Sequence, residues 1–185
     1  MAETRIIHCV NQGFIEELGE EEFTGLQQSL QNIESPLSPE DYLSRTSTYL
    51  INRFSAEEAE GMAFCIGRCA YRFIKGAFEN ELQFHQLDFR LLPPTRKTDE
   101  GIRRLIDAVF QPAGLQLDSI GQEDEEQWQL MPASALAINP ARVLGGVLQE
   151  MLLDISGGKF YPIQITENDS LKTVLISIDA HPLGH

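Results

Sequence analysis

Residues 139–178 read NPARVLGGVLQEMLLDISGGKFYPIQITENDSLKTVLISI, and the order of patterns within them decides the fold class. Asn139 and Pro140 have the chemistry of an N-cap and a first helical residue: the amide side chain accepts from an orphan backbone N–H, and proline has no N–H to leave unpaired. Val143, Leu144, Val147, Leu148, Met151, Leu152 and Ile155 then keep helical spacing, and Gly157-Gly158 closes the helix. Beyond it the period falls to two. Residues 159–165 and 171–178 read as a hairpin about Glu167-Asn168-Asp169, with Pro162 pointing to an edge strand or a bulge.

Working back toward the N-terminus, residues 115–120 and 127–131 read as another hairpin. Its turn is the acidic stretch 121–126, and Trp128 is its largest packing element. Thr98 is placed as the cap of a helix carrying Ile102, Leu105, Ile106, Val109 and Phe110, stopped by Pro112 and Gly114. Residues 82–92 fit an extended segment and a short helix equally well. Ser55 and Glu58 form a capping box for a helix with apolar positions from Ala59 to Ala77. Ser38 with Pro39 opens another, burying Leu43, Leu50, Ile51 and Phe54. Residues 14–31 are a weakly amphipathic helix interrupted by Gly19 and Gly25. Helices, hairpin, helix, hairpin is the order of an α+β fold, with helices packed on a small antiparallel sheet made of two hairpins. The expected organisation is a mobile N-terminal helical arm over 1–37 and a single ligand-binding-like domain over 38–180.

Composition narrows the function classes. The chain has 185 residues, 14 Lys and Arg against 28 Asp and Glu, and a net charge of −14, which repels a polyanionic backbone, so nucleic acid is not an expected partner. No apolar run approaches the ~20 residues of a spanning helix, and residues 1–10 lack the basic and apolar blocks of a secretion signal. Three cysteines, Cys9, Cys65 and Cys69, have no framework spacing and read as reduced thiols, which suggests a cytoplasmic protein. No metal motif, nucleophile elbow or phosphate loop occurs, so the expectation is a protein that is not an enzyme and whose cofactor is unknown.

Three constellations stand out. Cys65 and Cys69 share a helix face at i and i+4, a spacing open to metal, lipid or redox chemistry, although two small buried hydrophobes is the plainer account. Arg68, Arg72 and Lys75 make a basic stripe suited to clamping a carboxylate or phosphate, or else to salt bridging with the acidic N-terminal helix or Glu79. His85 lies between Phe84 and Phe89. It would be a haem-ligand candidate in a haem sensor fold, and otherwise an ordinary satisfied or exposed histidine. His8, His181 and His185 are scattered.

The stretches RLIDAVFQPAGLQLDSI (104–120), EEQWQLMP (125–132) and 139–178, together with AFCIGRCAYRFI (63–74), resemble the 4-vinyl-reductase-like domain and its TRAPP-subunit relatives. Many members of that family carry cysteines in the last two strands, where this chain has Tyr161, Lys172 and Thr173. The resemblance implies a non-enzymatic, dimeric protein with an apolar cavity for a hydrophobic small molecule. That cavity would lie between the 56–78 helix, the 140–155 helix and the sheet. Phe64, Cys65, Cys69, Phe73 and Tyr161 would line it, and Arg68 and Arg72 would fix a polar head group. The alternatives are an interaction scaffold with a filled core, and a role in tetrapyrrole or hydrocarbon metabolism.

Overall fold

The computed structural model describes residues 2–31, 37–120, 127–132, 138–168 and 173–183. Helices α1 (Ala2–Leu30), α2 (Pro39–Arg53) and α3 (Ala56–Ala77) are followed by two single-turn helices, α4 (Glu79–Leu82) and α5 (Leu87–Arg90), and by α6 (Pro94–Leu105). Strands β1 (Leu117–Ile120) and β2 (Gln127–Pro132), helix α7 (Ile138–Ile155), and strands β3 (Ile163–Asn168) and β4 (Thr173–Asp179) complete the order.

The helix starts obey local chemistry. Ser38 accepts from the Asp41 amide at 3.1 Å with Pro39 at the first helical position. Ser55 and Glu58 form the reciprocal capping box, with bonds of 3.3 and 3.0 Å. Two expectations are corrected in α6 and α2. Helix α6 begins at Pro94, which suits a first turn, so Thr98 is an interior residue whose hydroxyl donates back to the Pro94 carbonyl at 3.0 Å. Ile51 is 48% exposed, unlike its neighbour Leu50. Beyond Leu105 the helix widens into a π turn over Ile106–Phe110, and Ile106, Val109 and Phe110 are all buried.

The N-terminal helix is docked, contrary to the mobile arm expected. It starts at Ala2, and Ile6, Cys9 and Val10 extend the buried stripe ahead of Phe14, the first residue of the helix read from the sequence. Gly19, at φ 89° and ψ 168°, kinks the helix in a conformation side chains disfavour, and Leu26 is buried beyond the kink.

The strands form one four-stranded antiparallel sheet in the order β1-β2-β4-β3, so the two sequence-adjacent pairs are joined through β2 and β4, where Trp128 faces Ile178. The edge position of β3 fits Pro162, whose carbonyl accepts from the Asp179 amide at 2.9 Å. The turns expected at 121–126 and beyond Asn168, with the acidic run 123–126, Lys172 and His185, lie outside the described residues.

Helix α3 is packed between α1 and α7. A Cβ on Gly67 would collide with the Val143 carbonyl, and one on Gly146 with the Phe64 carbonyl, so α3 and α7 meet backbone against backbone. Gly145 of the same helix takes Ile165 of β3, which seats α7 on the sheet. Among the described residues, no helix is long and apolar enough to cross a membrane.

Candidate functional site

Where a cavity between α3, α7 and the sheet was expected, Gly67 and Gly146 bring the backbones of α3 and α7 into direct contact. Phe64 packs against α7 beside Gly145. Cys69 is buried beside Glu17, its thiol 3.7 Å from that carboxylate. Burial, with Glu16 and Glu17 adding, pushes the Cys69 thiol up to about 11, and burial raises Cys65 as well. Both therefore stay protonated at neutral pH, which disfavours thiolate ligation and nucleophilic chemistry. Phe73 is half-buried on the same helix. Tyr161 is not with this group; it is buried with its hydroxyl 3.4 Å from Thr98 and its ring edge-on to Trp128 at 6.3 Å.

The basic stripe of α3 is paired throughout. Arg68 reaches Glu150 at 3.0 Å, Arg72 binds Glu16 of α1, and Lys75 sits 2.8 Å from Asp154, which also accepts from the Tyr71 hydroxyl at 2.8 Å. These pairs zip α3 to both neighbours and are partly exposed, so each contributes modestly.

Among the described residues, an apolar gap lies between α1, α2, α3, the π turn and α7, walled by Ile6, Val10, Leu43, Phe110, Val147 and Tyr42 among others. Its free volume is about 10 Å³, space for no more than roughly one water. No His, Cys or Met lines it. Tyr42 donates to Asn11, and burial pushes its phenol up to about 12. None of the seven residues singled out from the sequence borders this gap.

Open space lies instead on the flank formed by α4, α5 and α6. One groove of about 740 Å³ runs along α6 past Trp128, whose indole N–H donates to Asp99. Its charges are largely paired: Glu100 binds both Arg103 and Arg104, and Arg104 also stacks over Phe89 at 5.0 Å. A second groove of about 650 Å³ is bordered by Lys75, Phe84, His85, Phe89, Arg90 and Lys97. It adjoins a smaller one of about 290 Å³ that includes Arg72 and shares Lys75, Phe84 and His85. His85 is 58% exposed and 3.9 Å from Glu79. Arg90 and Lys97 were missed in the sequence because they flank Pro93-Pro94 on separate short elements with no shared period. The crowding of cations at positions 90–104 in an acidic chain was the available signal. Among the described residues, no group of three or more His, Cys, Asp or Glu side chains is placed to hold a metal ion.

No protein-family model and no curated protein matches the chain. Solved structures do, at the level of fold. The Fe(II) unliganded H-NOX protein from K. algicida superposes with a TM-score of 0.64 at 8% identity, covering 97% of this chain and 96% of that one. An H-NOX protein from S. oneidensis in the Fe(II)NO ligation state gives 0.62 at 11% identity, covering 98% and 99%. These neighbours overturn the resemblance to the 4-vinyl-reductase-like and TRAPP proteins: the shared features, a glycine-bearing long helix and terminal hairpins on an antiparallel sheet, belong equally to another architecture. What the chain has over nearly its whole length is the H-NOX fold, an α+β arrangement of helices with a small antiparallel sheet.

Proposed function

We propose that this chain is a non-enzymatic small-molecule-binding module that uses the H-NOX fold without haem. Both neighbours are described in iron(II) states, and haem is the group the fold implies. The residues here do not fit it. A buried macrocycle needs a slot on the order of 300 Å³ or more and an axial side chain aimed into it. The interior gap offers about 10 Å³. Its one side chain with ligating chemistry, Tyr42, is a protonated phenol engaged with Asn11. His85, the candidate marked in the sequence, stands on the surface away from that gap. The tightness of this gap among the described residues is the observation that carries this reading, and the open grooves of the α4–α6 flank are where binding is placed. Cys9, Cys65 and Cys69, all free thiols, support placing the protein in the cytoplasm.

The test is absorbance of the protein produced with abundant haem, alongside His85→Ala. The expected result is no Soret band in either sample. A stoichiometric Soret band in the wild-type chain overturns the reading, and its loss or persistence in His85→Ala tells whether His85 is the ligand. Native mass of the same sample reads the oligomer number and tests the dimer. A filled-core interaction scaffold is the second reading, favoured by Leu87 and Leu91, which are 68% and 73% exposed one helical turn apart. A clean native mass with no small molecule, together with loss of a co-purifying protein in Leu91→Ser, would select it.

A further inference from the structure

We propose that the groove between α5, α6 and the C-terminal end of α7 binds a small organic oxyanion with a planar apolar body, a carboxylate or a phosphate ester of aromatic character. This inference rests on the reading of the chain as a small-molecule-binding module and names the ligand class of its flank.

The charge pattern is the first support. In a chain of net charge −14, basic side chains have an excess of carboxylates to choose from, and most take one. Arg5, Arg53, Arg68, Arg72, Arg103 and Arg142 are all ion-paired. Arg90 and Lys97, like Arg45, Arg96 and Lys159, have no carboxylate within ion-pair distance among the described residues, and these two stand together on one groove. The Lys97 ammonium is held by the Arg90 carbonyl at 3.0 Å, an acceptor that fixes its position and leaves its charge uncompensated. Both cations border the groove, and Lys75 adds a third whose partner, Asp154, is the groove's one acidic residue. Asp154 is already occupied by Lys75 and Tyr71, so it offers little repulsion to an incoming anion.

The apolar body is the second support. Phe84 and Phe89 pack with ring centroids 4.9 Å apart, and Phe89 and Ile155 are buried while Phe84 is half-exposed. They present an aromatic and aliphatic wall beside the cations. A volume of about 650 Å³ admits a ligand of one or two fused rings. A few charged groups orienting a ligand against an apolar wall is the ordinary construction of a small-molecule site. An arginine and a lysine are suited to an oxyanion through charge-assisted hydrogen bonds. Of the basic stripe Arg68, Arg72 and Lys75 read from the sequence, Lys75 borders this groove, while Arg68 and Arg72, the residues assigned to a head group, do not.

The full chain is titrated with naphthoate, naphthyl phosphate, neutral naphthalenemethanol and inorganic phosphate, following backbone amide shifts. Saturable binding of an aromatic anion is expected, with shifts confined to the segments around Phe84, Arg90, Lys97 and Ile155. The neutral alcohol and inorganic phosphate should each bind at least roughly tenfold more weakly, the loss of one charged hydrogen bond or of the apolar contact. The tighter of the two anions identifies carboxylate or phosphate ester as the class. Arg90→Gln with Lys97→Gln should weaken binding by roughly tenfold or more, and Arg90→Lys with Lys97→Arg should restore most of it. Both pairs are at the surface, and their melting temperatures check folding. No saturable binding of either aromatic anion, shifts centred elsewhere, or undiminished binding by the glutamine pair would overturn the proposal. A Soret band would refute the haem-free reading and leave this titration to be judged on its own result.

Discussion

The interface of α3 with α1 and α7, and the flank of α4, α5 and α6, treat the same ingredients in opposite ways. In the interface, glycines bring backbones into contact, each cation of the α3 stripe has its carboxylate, and the cysteines are held as thiols. On the flank, α4 and α5 last one turn, two leucines face solvent, and Arg90 and Lys97 stand without counter-charges. A fold whose neighbours are described with iron is here closed where it is most apolar and open where it is most charged. The comparison teaches that fold likeness carries over the scaffold, while the binding surface has to be read from local packing and charge.

The contrast breaks first under truncation. Phe14→Ala should cost about 4 kcal/mol in urea unfolding, because Phe14 is fully buried in the shared core. Leu91→Ala on the flank should change stability by less than about 0.5 kcal/mol. A small effect at Phe14 would mean that α1 is detachable after all. Next comes Gly67→Ala, expected to cost about 2–3 kcal/mol by forcing α3 off the Val143 carbonyl. A neutral outcome would show slack in the α3–α7 contact and reopen the interior as a ligand site.

The smallest effect is electrostatic. The Arg53 side chain, with Tyr49, holds the Glu22 carboxyl below its ordinary value of 4.5, and Arg5 does the same for Glu81. A carboxylate depressed in the folded state contributes stability that is complete above the ordinary value and is lost as pH falls through the folded one. Urea midpoints should therefore decline as pH drops below about 4.5, and Arg53→Gln should flatten part of that decline. An unchanged profile would mean that these exposed pairs are screened to nothing.

Local rules made much of the fold legible. Ser38-Pro39 and Ser55 with Glu58 marked helix starts because capping is decided within four residues, and the change of period after Gly158 marked the sheet. Gly145-Gly146, read as a close-packing pair, sits against α3 and β3. The N-terminal helix was underestimated because its buried stripe begins at Ile6, among residues whose alternating polar character hides a helical face. The candidate site was far less legible. Nothing local to Arg68 or Arg72 fixes which carboxylates neutralise that face, since Glu150 and Glu16 come from elsewhere in the chain. Arg90 and Lys97 become a pair only when the break at Pro93-Pro94 folds one helix back toward the other.

The backbone contact of α3 with α7 has a consequence in time. Tyr71 and Asp154, which bond across it, are 83 residues apart in the chain, so the contact forms only after that loop has closed. Helices α2 and α3 can form early from their own caps, but the step that locks them waits on a long-range encounter, and proteins dominated by such encounters fold slowly. Refolding of this mostly helical chain should accordingly lag behind that of a local helical bundle, with α3 and α7 acquiring protection from hydrogen exchange in the same phase.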